Sequence, residues 1–157
     1  MKIETGVGAG SVTEDGHKGW IALTKVNQSI EHEEPADPFS QGKLVGGALR
    51  YKDFVVAKDT DKTSPDLLKQ ASTGTTIGTV QIHLCDDVHT VTPVVKFELS
   101  NCIVTKFSID ASGGSRPVEE LTIRFAKIKM EFVPIDQKGT PGAATQATFD
   151  LLTKKAS

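Results

Sequence analysis

The chain has 157 residues, 18 basic and 20 acidic side chains and a net charge of −2, with both signs scattered along it, a balance that excludes a dedicated nucleic-acid or anionic-membrane surface. This length suits a single domain, 1–157, which buries about 68–70% of the surface of its unfolded chain and needs neither metal nor disulfide to fold. The Met1–Gly8 segment lacks the apolar core of a signal peptide, and no run approaches the roughly 18 apolar residues of a membrane span, so a soluble protein made in the cytoplasm is expected.

Trp20–Ile30 reads as a first long strand, with Trp20, Ala22, Val26 and Ile30 in one phase, Ile21 and Leu23 in the other, and two-sided burial near its start. From Glu31 to Gly42 the pattern breaks. Pro35 and Pro38 cannot donate to an interior ladder, and four acidic residues accompany them, so a long exposed loop is predicted, of a length that in compact domains is usually functional or disordered. A strand resumes over Ala48–Ala57. The only convincing helix follows at about 64–73: Ser64 is the expected N-cap, Pro65 the first helical residue, Asp66 complements the positive end of the dipole, and Gly74 provides a left-handed stop.

Thr79–Leu84 alternates cleanly and Asp86-Asp87 marks a turn. Val95, Phe97, Leu99, Ile103, Phe107 and Ile109 are then expected on one face of a long half-buried strand, with Lys96, Glu98, Ser100, Lys106, Ser108 and Asp110 on the other. After the Ser112–Pro117 turn, Leu121, Ile123 and Phe125 hold odd positions while Ala126, Ile128, Met130 and Phe132 hold even ones. A change of phase near Phe125-Ala126 implies a β-bulge or a strand that switches the face it buries. A straight strand of 16 residues would span ~53 Å at about 3.3 Å per residue, against a domain diameter near ~39 Å, so the long strands must bend or project. Thr145–Leu151 closes the pattern as a last strand. The fold class is therefore mainly β: a small β-barrel of two packed antiparallel sheets with one α-helix and a long exposed loop.

No constellation for chemistry emerges. Gly6-x-Gly8-x-Gly10 lacks the spacing and the strand–turn–helix frame of a dinucleotide site. His83-x-Cys85, with Asp86, Asp87 and His89 beyond, falls short of a structural zinc set, and His83, in the polar phase of its strand, is expected to be solvated. No elbow frames a Ser/His/Asp triad, and the adjacent acids Glu33-Glu34 and Glu119-Glu120 would point to opposite faces of a strand. Cys85 and Cys102 are expected as reduced thiols with a packing role. The chain is thus predicted to be no enzyme, with no catalytic residue, cofactor or metal.

The order of features resembles one family nearly end to end: Gly-His-Lys-Gly-Trp-Ile at 16–21, a long polar loop, the block Phe-Val-Val-Ala-Lys-Asp-Thr-Asp-Lys-Thr-Ser-Pro-Asp-Leu-Leu-Lys-Gln-Ala from Phe54 to Ala71, a Ser-Gly-Gly-Ser turn and the Val118–Phe132 strand. It is similar to the haemolysin-coregulated protein (Hcp) family, the tube protein of type VI secretion systems. The resemblance implies a homo-hexameric ring stacking into a hollow tube, surrounded by a sheath, tipped by a spike, holding small effector proteins in its lumen, and exported from the bacterial cytoplasm without a cleaved signal peptide. It places a ring-stacking loop at Glu33, Glu34, Pro35, Asp37, Pro38, Phe39, Ser40 and Gln41, and an outer, sheath-facing helix at Pro65, Asp66, Leu67, Leu68, Lys69 and Gln70. A tail-tube-like protein of another contractile injection system or phage, and a monomeric β-barrel binding module or hydrolase, are the alternatives.

Overall fold

Thr92–Asp110, nineteen residues, forms the backbone of the architecture. In this computed structural model, which describes residues 1–35, 39–40, 43–44, 47–86, 92–136 and 138–157, with the backbone alone at 39–40 and 43–44, thirteen strands and one helix are laid down in chain order. They are β1 (Lys2–Ile3), β2 (Lys25–Asn27), β3 (Ile30–His32), β4 (Phe39–Ser40), β5 (Lys43–Leu44), β6 (Leu49–Tyr51), β7 (Phe54–Asp59), α1 (Ser64–Thr73), β8 (Thr76–Asp86), β9 (Thr92–Asp110), β10 (Val118–Arg124), β11 (Lys127–Phe132), β12 (Thr145–Asp150) and β13 (Lys155–Ala156). Nine strands form one antiparallel sheet in the order β13-β12-β11-β9-β10-β7-β2, with β8 on β9 and β1 on β8. β3 with β6, and β4 with β5, make two small two-stranded sheets. The mainly β fold with a single helix is as the alternation predicts: the nine-stranded sheet curls into a half-barrel, and the remaining described strands form the small sheets beside it.

β9 curls because its phase changes twice. Leu99 is buried in register with Ile128, then Asn101 adopts a left-handed φ of 54° and Cys102 and Val104 take over the buried side. A second register shift lies between Thr122 and Ile123 of β10, opposite Thr105, after which Phe107 again faces inward, paired with fully buried Leu121. Ile103, expected inside, is therefore displaced from the core side that Cys102 and Val104 occupy: each bulge adds one residue and so reverses every side chain beyond it. The predicted change of phase at Phe125-Ala126 is present. β10 and β11 both pair with β9 and part there, opposite the Asn101 bulge, with the Ala126 N–H donating to the Ser100 carbonyl.

The predicted Trp20–Ile30 strand is shorter than expected. Only Lys25–Asn27 pairs with β7, while Trp20 and Ile21 are both buried in irregular backbone and Ile30 is 53% exposed. The Ala48–Ala57 strand is divided between β6 and β7 at Lys52-Asp53. α1 begins one residue away from its predicted cap. Thr63 holds the cap position without a side-chain bond, and Asp61 Oδ1 instead accepts from the Thr63 N–H and hydroxyl, while Ser64 Oγ accepts from the Asp61 N–H. Gly74 ends the helix with φ 61°, its N–H donating to the Gln70 carbonyl. The core gathers Ile3, Ile21, Phe54, Val56, Leu67, Ile77, Val80, Ile82, Leu99, Leu121 and Ile123 between helix and sheet.

Left-handed backbone costs a β-branched residue most. Asn101→Val is expected to lower unfolding free energy by about 1–3 kcal/mol, with Asn101→Gly near neutral, as read by urea denaturation.

Candidate functional site

The residues available for function fall in three places. The first is the ribbon made by β3 and β6, which pair with each other and with no strand of the main sheet. The register Ile30↔Tyr51, Glu31↔Arg50, His32↔Leu49 sorts its side chains by face. Ile30, His32, Leu49 and Tyr51 share one side; Glu31, Arg50 and their neighbours Glu33 and Lys52 share the other, where Lys52 pairs with Glu31 at 2.7 Å and Arg50 pairs with Glu33. These exposed ion pairs contribute little stability and define a charged face, while Ile30 and Leu49 remain 53% and 40% exposed on the opposite one. Of the expected stacking residues, Glu33 and Glu34 are exposed and Pro35 is half-buried; Phe39 and Ser40 lie in β4; Asp37, Pro38 and Gln41 lie outside the described residues.

The second is α1 and its attachment. Pro65, Leu68 and Lys69 are exposed. Leu67, fully buried, and Gln70 turn inward, and Asp66 accepts the Gly8 N–H at 2.9 Å. Gln70 Nε2 donates to the Gly6 carbonyl at 2.9 Å, and a Cβ on Gly6, whose φ is 78°, would collide with that amide. Gly6 and Gly8 thus serve close packing against the helix, while Gly10 lies against the Trp20 backbone. Beneath the helix start, Lys58 and Glu119 are cross-strand partners on the inner face, continuing the series Phe54/Ile123 and Val56/Leu121, and both are fully buried. Lys58 Nζ lies 2.8 Å from Glu119 Oε2, 3.0 Å from Asp61 Oδ1 and 3.3 Å from Ser64 Oγ, whereas Glu119 Oε1 has no partner among the protein atoms. Burial raises the Asp61 pKa, but bonds from Thr63 and Lys58 outweigh it and hold that carboxyl below its usual range. The lysine therefore ties the helix start to two strands.

The third place is the seam where the N-terminal segment meets β8. The Met1 amine donates to the Ile21 carbonyl at 2.7 Å and the Ile21 N–H returns the bond at 2.7 Å. Burial pushes the amine down to about 5. Next to it, His83 is packed rather than solvated: its Nδ1 lies 2.8 Å from His17 Nε2, and Trp20 rests 4.4 Å from its ring. The network assigns the proton to His17 Nε2, since the other tautomer would bury an unpartnered N–H at Nδ1. Burial first, then the charges of His17, Lys96 and the Met1 amine, against Glu131, push His83 down to about 4. Cys85 Sγ is 4.0 Å from His17 Nε2, yet no group of three His, Cys, Asp or Glu among the described residues is spaced to hold a metal ion. Both cysteines are free thiols, and burial pushes Cys102 up to about 12. Sequence reading missed both the Lys58 hub and the His17–His83 pair, whose partners are 61 and 66 residues apart.

Residues 1–132 match the protein family described as type VI secretion system effector, Hcp. The chain belongs to the Hcp family. Among solved structures, one described as a type six secretion system protein superposes with a TM-score of 0.90 at 24% identity, covering 99% of this chain and 96% of that one. Hcp1 from Salmonella typhimurium gives 0.78 at 20% identity over 99% and 95%, and a type VI secretion system effector from Yersinia pestis 0.72 at 23% over 95% and 96%. At such identity these likenesses speak for the fold. A comparison with curated proteins returns no match. No helix among the described residues is long and apolar enough to cross a membrane.

Two outcomes follow from the hub and the seam. Lys58→Met strands a buried carboxylate and is expected to cost about 3–5 kcal/mol in denaturant unfolding, while a Lys58→Met, Glu119→Leu double variant loses much less. His83 binds its proton less readily folded than at its ordinary value near 6.5, so its contribution to stability should fall as pH drops from 6.5 toward 4. Denaturant midpoints across that range should show a shallower decline in His83→Gln.

Proposed function

We propose that this Hcp protein is a structural subunit of the type VI secretion inner tube, assembling as hexameric rings that stack. The observation that carries this reading is the β3–β6 ribbon: a two-stranded ribbon is marginal alone, and this one pairs with no other strand among the described residues while exposing Ile30 and Leu49. An arm of that kind gains its order from a neighbour. The sheet path ends at β2 on one side and β13 on the other, two free edges that head-to-tail contacts between copies can cover.

In this reading the segment from Glu33 to Gln41 reaches the next ring, the exposed residues Pro65, Leu68 and Lys69 of α1 look outward to the sheath, and the lumen carries small effectors behind a spike. The protein would be made in the bacterial cytoplasm and exported with the tube, without a cleaved signal. Its role is mechanical rather than catalytic, since sheet continuity resists extension while polar contacts between rings allow assembly and disassembly. Electron microscopy and light scattering of the purified protein should show six-membered rings; a strict monomer over a wide concentration range would overturn the assignment. Replacing 33–41 by a short Gly/Ser linker should leave single rings and abolish their stacking, and loss of the folded ring would refute the placement of the arm.

A further inference from the structure

Lys58 and Glu119 face each other across β7 and β10 on the inner side of the sheet, in a row whose other pairs are the apolar Val56/Leu121 and Phe54/Ile123. Both side chains are fully buried, and the lysine meets two carboxylates: Nζ lies 2.8 Å from Glu119 Oε2 and 3.0 Å from Asp61 Oδ1. As an ion pair the arrangement is unbalanced. Two carboxylates share one ammonium, and Glu119 Oε1 receives no donor from the protein atoms, although a buried charged oxygen ordinarily needs one. The two carboxyls also differ in support. Asp61 Oδ1 accepts from the Thr63 N–H at 2.8 Å and from its hydroxyl at 2.6 Å, and although burial opposes ionisation there, these bonds and Lys58 keep Asp61 a carboxylate; Glu119 is met by the lysine alone.

The groups needed to build an amide therefore stand together: an amine, a carboxyl in contact with it, and a second carboxylate placed to take the amine's proton. We propose that Lys58 and Glu119 condense into an intramolecular isopeptide bond, with Asp61 as the proton acceptor. Inside the 2.8 Å contact the ammonium passes one proton to Glu119, giving a neutral amine and a carboxylic acid, a pair that a low-dielectric interior tolerates better than two separate charges. Nζ attacks Glu119 Cδ and gives a second proton to Asp61 Oδ1, which delivers it to the departing hydroxyl. One N–C bond forms, one C–O bond breaks and one water leaves past Asp61, whose side chain is 18% exposed; no electrons are exchanged and no co-reactant is consumed.

Two features favour the product. Holding amine and carboxyl in contact corresponds to an effective concentration of about 10⁵–10⁸ M. The amide is neutral: its N–H keeps a bond to Asp61 and its one oxygen becomes an uncharged carbonyl, which replaces a buried ion pair whose desolvation opposes its attraction. The bond ties β7 to β10 in an assembled ring and in a free monomer alike.

Mass spectrometry of the intact, denatured full-length protein should read a loss of one water, about 18 Da, against the mass of its sequence. A tryptic digest should contain a branched peptide that joins the segment of Lys58 to that of Glu119. Lys58→Arg, which keeps the charge but cannot condense, and Asp61→Asn, which keeps an oxygen for Thr63, should both show their full sequence mass, with circular dichroism confirming that they fold. A wild-type protein at full mass holds an ion pair only and overturns the proposal, and this outcome is decided whether or not the variants fold. A water loss that persists in Lys58→Arg, or one confined to the peptide containing both Lys58 and Asp61, overturns it as well. Retention of the branched peptide in Asp61→Asn overturns the role given to Asp61.

Discussion

A strand of nineteen residues cannot lie straight in a domain of this size: it would reach ~63 Å at about 3.3 Å per residue across a body about 39 Å wide. β9 resolves this with two single-residue bulges, at Asn101 and opposite the Thr122/Ile123 shift, and the rest of the architecture follows from them. The bends let one strand carry β8 on one edge and both β10 and β11 on the other. They also set which side chains form the core, since Leu99, Cys102, Val104 and Phe107 face the same interior only because the phase is reset twice.

Much of this was legible in the amino-acid order, and the failures have a common cause. The helix was readable because its signals are local: Pro65 at the start, Gly74 at the stop, apolar Leu67 between. The break at Phe125-Ala126 was readable because it leaves a net change of phase. The two bulges of β9 were not, because they cancel, so that Val95–Leu99 and Phe107–Ile109 look like one uninterrupted alternation with Ile103 inside it. Ser64 was misread as the cap because its hydroxyl was assumed to serve the helix, whereas it accepts from Asp61 and Lys58, a residue six positions upstream. Nothing in the pair Glu119-Glu120, read only as adjacent acids on opposite faces, marked Glu119 as buried, and His83 looked like a solvated ring, because the partner of each lies more than sixty residues away.

The division of labour among the three sites is physical. The Lys58 hub, with both charges desolvated, specifies a single seat for α1 more than it adds net stability. The ribbon does the opposite, keeping its charges in water and leaving Ile30 and Leu49 exposed while Tyr51 of the same face stacks on Phe149, as suits a contact made and broken between molecules. The seam at Met1 and Ile21 is intermediate: it closes one stretch of the half-barrel by two hydrogen bonds.

The Lys58–Glu119 contact also dictates an order of events at the ribosome. Synthesis delivers the lysine 61 residues before the glutamate that neutralises it inside the protein, and the entire helix emerges in between. Until β10 has emerged, burying that ammonium would leave its charge without the second carboxylate, so the nascent helix has no reason to settle on the sheet. Final docking waits for the carboxyl-terminal third of the chain, and the apolar face of α1 stays open to chaperones during that interval.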